Sequence, residues 1–156
     1  MSKRGTQAEK FVKLFDYWCT LILKRTYPSK SDLRYHCHAC VETEKVGKKT
    51  LVTLVYNSRR LAQWSDAMLV SGAFHEIGHL IHDLPYDTEE EKVTSEYKAE
   101  LYSLRQVRKH YPKHLDEILK ASRKVINSRR YKKEFPIHYN AFLKIKDYRI
   151  KNGKKL

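Results

Sequence analysis

Glycine and proline are scarce in this chain, five and four residues in 156, and they are nowhere gathered with serine into a linker. No internal repeat stands out, so arrays and multi-domain strings are excluded and one domain, 1–156, is expected. Long apolar runs are missing as well. The run Cys19 to Leu23 is interrupted by Thr20 and falls far short of a membrane span. The N-terminal Met-Ser-Lys-Arg leads into an amphipathic stretch rather than an apolar signal core with a small-residue cleavage site. Cysteine is limited to three, an odd number that gives no disulfide framework. Reduced thiols and a cytoplasmic setting are the expectation.

Acidic residues are also unevenly missing. Residues 1–104 carry 15 Lys/Arg against 14 Asp/Glu, a net +1, whereas residues 105–156 carry 17 against 4, a net +13. Nearly all of the formal +14 therefore sits in the last third. Such asymmetry suits either a solvated helical face or docking to an acidic partner, nucleic acid being the commonest.

What is present is a helix-rich pattern. Phe11, Leu14, Phe15, Trp18 and Ile22 recur at helical spacing within 6–26, and Pro28, Ser29 and Ser31 end the run. Val41 to Val46 and Thr50 to Tyr56 are rich in β-branched residues and flank Gly47-Lys48, the signature of a hairpin. Ser65-Asp66 can cap a helix running to about His82. A further helix starts near Thr88 with Glu89 to Glu91 in its first turn, Pro112 opens another over 113–126, and a last one spans 137–150. The expected fold class is α+β, a helix-rich single domain with a small antiparallel sheet packed beside the helix that carries the chemistry.

That chemistry rests on His75-Glu76-Ile77-Gly78-His79. One turn apart on a helix, His75 and His79 share a face and can converge on one ion. Two imidazoles and a carboxylate suit zinc and leave a fourth position for water. Glu76 is rotated about 100° from His75, beside that water rather than on the metal, where it can accept a proton and later deliver it to a leaving amine. A third ligand must come from elsewhere. Glu96 and Glu100, at i and i+4 of the next helix, offer one carboxylate for the metal and another to hold a ligand histidine.

His-Glu-Ile-Gly-His followed by a helix reading Glu96-x-x-Ala99-Glu100 resembles the gluzincin-type zinc metallopeptidases, notably the compact ImmA/IrrE-like group, over about residues 50–104. The resemblance implies His75, His79 and Glu96 as zinc ligands, one Zn2+ per chain, Glu76 as general base, and supporting places for Glu100 and His82. It also departs from the family. Asp or Asn is usual where Glu100 stands and the gap from His79 to Glu96 is short, so Glu100 is the alternative third ligand. An edge strand beside the active-site helix pairs with extended substrate in such enzymes, and Thr50 to Tyr56 is the candidate here, an interior strand being the competing assignment.

Other groups are weighed against that site. His36, Cys37, His38 and Cys40 have one Cys-x-x-Cys and no second pair; read as a strand, they pack in the ordinary way with an accessory metal as the lesser alternative. Tyr86 or Tyr97 can donate to a tetrahedral oxyanion. Two functions follow. One is a zinc metalloendopeptidase acting on a regulatory or DNA-associated protein; the other is a basic nucleic-acid-binding or regulatory module with a structural or vestigial zinc. Protein or peptide substrate is the expected partner, with nucleic acid through 105–156 and no membrane.

Overall fold

The computed structural model describes residues 3–152. Helix α1 (Lys3–Leu23) buries Phe11, Phe15 and Trp18 of the apolar stripe expected from the sequence and leaves Leu14 and Ile22 half-buried, with Cys19 buried beside them. It stops three residues short of the expected end because Lys24 turns into the left-handed region, φ 56°.

Strands β2 (Ala39–Val46) and β3 (Lys49–Tyr56) form the expected antiparallel hairpin. Gly47 takes φ 62°, the positive value required at the first central position of a two-residue turn. A third strand, β1 (Ser29–Ser31), adds parallel to Leu54–Tyr56, so the sheet is mixed with order β1-β3-β2. The stretch read only as a helix terminator thus also pairs. That order corrects one assignment: β3, proposed as the substrate edge, is the central strand, and β2 lies at an edge of the sheet and packs beside the helix that carries His75 and His79.

Asn57 caps the short α2 (Ser58–Leu61), its Oδ1 accepting from the amides of Arg59 and Arg60. Its Nδ2 donates to the carbonyls of Leu33 (3.0 Å) and Tyr35 (2.8 Å). With a side chain only 3% exposed, all four of these groups lose their partner together in Asn57→Ala. A loss of about 2 kcal/mol in denaturant unfolding is expected.

Helix α3 (Asp66–His82) begins at the Ser65 cap, which accepts from Met68 N, and ends where Asp83 turns left-handed at φ 41°. Helix α4 (Glu89–His110) opens on a capping box formed by Thr88 and Glu91. A 3-10 turn (Pro112–His114) leads into α5 (Leu115–Ile126), followed by α6 (Arg129–Glu134) and α7 (Pro136–Lys151). The sequence pattern misses α6 because Arg-Arg-Tyr-Lys-Lys-Glu has no apolar period. The core gathers Phe11, Phe15, Leu54, Leu61, Phe74 and Leu104 between these layers.

The contact that positions the site is α3 against α4. Ser71 and Ser103 meet at 3.0 Å between their hydroxyl oxygens, and Ser103 Oγ also donates to the Ser71 carbonyl at 2.8 Å. About two turns along α3, Gly78 lies so close to Ala99 that a Cβ at 78 would sit 2.8 Å from the Ala99 Cα. Contacts advance along α3 as they recede along α4, so the pair is antiparallel. Small residues at the crossing set the helix separation, and the separation sets what the longer side chains between them can reach.

Candidate metal centre

Between Ser71 and His79 on one helix, and Ser95 and Ser103 on the other, the polar side chains converge. His75 Nε2 and His79 Nε2 lie 3.1 Å apart. Glu96 Oε2 is 3.0 Å from His75 Nε2, and Glu96 Oε1 is 3.5 Å from His79 Nε2. Among the described residues, His75, His79 and Glu96 are the group whose donor atoms all lie within 4.8 Å of one another. Two imidazole nitrogens aimed at each other across a carboxylate are a donor set that a divalent cation fits, so the triad can bind a metal ion.

The outward nitrogens of both rings are also engaged. His75 Nδ1 meets Glu100 Oε2 at 3.1 Å, and His79 Nδ1 meets Ser95 Oγ at 3.1 Å. Each partner fixes ring orientation and leaves Nε2 facing the shared point. The two glutamates take different places. Glu96 faces the common point and Glu100 lies behind His75. His82, by contrast, is exposed at the end of α3 with its ring 6.3 Å from that of Tyr102, and no hydrogen bond joins it to the triad.

Burial pulls the site's charges one way and proximity the other. Burial alone would raise Glu96, yet hydrogen bonds from His75 and His79 hold its carboxyl well below the usual range. Burial disfavours a charged His75, but Glu100 and Glu96 outweigh it and hold that imidazole well above its ordinary value. A cation held by His75, His79 and Glu96 would compete with the protons these groups carry. Glu76 is raised, first by burial, against the lowering pull of His75 and His79.

Glu76 does not join the triad. Its Oε2 accepts from the Val41 amide on the free edge of β2 at 3.0 Å. Triad and Glu76 line one cleft of about 1490 Å3, walled by β2, the preceding loop, α3 and α4 on one side and by α5 to α7 on the other. Two further residues enter from outside the motif. Tyr86 donates to Glu96 Oε1 at 2.9 Å, and His138 Nε2 on α7 lies 3.4 Å from Glu96 Oε2. Tyr86 is one of the two tyrosines considered from sequence; Tyr97 instead has Lys98 Nζ 5.9 Å from its ring centroid. His138 was missed because it lies 42 positions beyond Glu96 with no motif around it.

The loop carrying His36, Cys37 and His38 is not a strand, since β2 begins at Ala39, and strand alternation does not apply to it. Its side chains make separate contacts: His36 against the Tyr35 ring, His38 stacked on Trp64 at 4.6 Å, and Cys40 Sγ hydrogen-bonded with Tyr35 OH. They form no metal group among the described residues. Burial, then the Arg60 charge, lowers His38 to about 4. Unfolded, it titrates near 6.5, so between about pH 6.5 and 4 the unfolded chain binds more protons and stability falls as pH falls. Discounted for its partial exposure, the loss is about 1–2 kcal/mol. Comparing denaturant unfolding at neutral and acid pH should show a smaller acid loss in His38→Gln than in the parent chain.

Among the described residues no helix is long and apolar enough to cross a membrane. Comparison with known proteins finds no matching family model, no matching curated protein and no matching solved structure.

Proposed function

We propose that the chain is a zinc-dependent endopeptidase that hydrolyses peptide bonds in a protein substrate with Glu76 as general base. The observation that carries this reading is the convergence of His75, His79 and Glu96 on one point at the floor of an open cleft, with a separate buried carboxylate, Glu76, on the same wall. Structural zinc sites are closed by four protein ligands. Three donors in a cleft leave room for a reactant.

Zinc, when held there, supplies a Lewis acid that polarises a carbonyl and acidifies water. The remaining work falls to side chains. Glu76, raised by burial, accepts a proton from the attacking water and returns it to the leaving amine. Tyr86 holds Glu96 through Oε1, and Glu100 holds His75 through Nδ1. His138 on the opposite wall, whose Nε2 lies 3.4 Å from Glu96 Oε2, would donate to the oxyanion of the tetrahedral intermediate. The free edge of β2 gives an extended substrate backbone its partners, in place of the β3 edge expected from sequence.

The test is metal content with activity. Purified protein should carry one zinc per chain, lose it in His79→Ala and Glu96→Gln, and cleave an unstructured protein such as casein until chelated. Protein that holds zinc and leaves such substrates intact would overturn the peptidase reading.

A further inference from the structure

We propose that the ridge formed by α4 and α7 is a docking surface for the phosphate backbone of duplex nucleic acid, a binding function separate from the metal centre. On α4, Lys98, Tyr102, Arg105 and Lys109 follow one another at spacings of three and four, and so form one stripe along the helix. The three cations of that stripe are exposed. On α7, exposed Lys144 and Lys151 flank Tyr148 by one turn on either side. Arg105 Nη2 donates to Tyr148 OH at 3.2 Å, which joins the two stripes across the helix seam.

Some cations elsewhere in the chain have acid partners. Lys10 pairs with Asp66, Lys30 with Glu42, Lys120 with Asp116 and Arg130 with Glu134. Among the described residues no carboxylate lies within 4.0 Å of Lys98, Arg105, Lys109, Lys144 or Lys151. Asp147 is the one acid α7 contributes, and the second half of α4, from Leu101 to His110, has none. A face built only for solubility intersperses both signs, because like charges gathered on one surface repel. Here the chain concentrates one sign.

The form of the surface selects the partner. From Lys98 to Lys109 the stripe runs about 16 Å at 1.5 Å per residue, the rise of about five base pairs at 3.4 Å each. The tyrosines between the cations are half-buried, and the Tyr148 hydroxyl is already engaged by Arg105, so they are poorly disposed to stack on splayed bases. Cations in a row without available aromatic platforms fit sequence-independent contact with the backbone of a duplex.

Anisotropy of a labelled duplex of about 20 base pairs, titrated with the full chain, tests this. Five phosphate contacts predict an affinity that falls roughly 10²- to 10³-fold between about 50 and 200 mM KCl. The triple variant Lys98→Glu, Arg105→Glu, Lys109→Glu should weaken binding by at least about 30-fold at low salt. A matched variant, Lys45→Glu, Lys48→Glu, Lys49→Glu at the exposed hairpin tip, changes net charge equally and should weaken it by no more than about 3-fold. Circular dichroism confirms that both variants fold. Equal losses in the two variants would mean that overall charge alone is at work, and would overturn the ridge. Competition by polyglutamate as effective as by duplex, at equal charge, would overturn the nucleic acid in favour of an acidic protein. Chelator and Glu76→Gln should leave binding unchanged, so the outcome is independent of whether the chain is a peptidase.

Discussion

Glu76→Gln should reduce turnover of a protein substrate by about 10²- to 10⁴-fold while leaving metal content at the parent level. An amide has nearly the volume of the carboxylate, and its carbonyl oxygen can still accept from the Val41 amide now bound at 3.0 Å. It cannot take a proton from water. The metal should stay because Glu76 is outside the group formed by His75, His79 and Glu96. Side-by-side metal analysis and casein assay read both quantities. Full activity would remove Glu76 as the base, and loss of metal would make it a ligand. His138→Ala belongs in the same assay. With its ring on the opposite wall, 3.4 Å from Glu96, it should lower kcat by about 10²-fold with KM little changed, as expected of a donor that acts on developing charge.

Gly78→Ala should destabilise the fold by about 2–3 kcal/mol and weaken metal binding together with it. Helix propensity taken alone predicts the opposite sign, since alanine is favoured over glycine by about 1 kcal/mol in a helix interior. Contact decides. The added Cβ would lie 2.8 Å from the Ala99 Cα and 3.0 Å from the Ala99 carbonyl oxygen. Both are backbone atoms, so no side chain can swing away, and trimming Ala99 to glycine would not relieve the clash. α3 and α4 must move apart. The triad depends on that same spacing, because its histidines stand on α3 and Glu96 on α4. Denaturant midpoints and a zinc titration should move together. A stabilised variant with unchanged zinc affinity would show that the crossing is not what holds the donors in place.

Reading the site from sequence succeeded where spacing alone dictates geometry. His75 and His79 are a turn apart in any α-helix, and Ser65 and Thr88 announce the starts of the two helices that matter. The short gap to Glu96 looked like a departure from the resembling family. In the fold, α3 and α4 are joined by only the six residues 83–88 and run antiparallel, and that register brings Glu96 back beside His75 and His79. What sequence could not convey was placement by tertiary packing. His138 reaches the triad because α7 packs along α4. The identity of the free sheet edge depended on β1, whose Ser-Lys-Ser has no strand signal and pairs only because the chain leaving α1 passes beside β3. His36 and His38 failed as strand residues for the same reason: Asn57 holds their loop in a shape that local alternation does not describe.

The hydrogen bond from Val41 to Glu76 has a consequence for the order of events in the cleft. That N–H points out from the open side of β2, and it is a single proton with two suitors. A peptide laid along β2 needs it as a rung of the growing ladder, and Glu76 needs it only while waiting. On the peptidase reading, arrival of a substrate strand therefore frees Glu76 to serve as the base, and an empty cleft keeps it tethered.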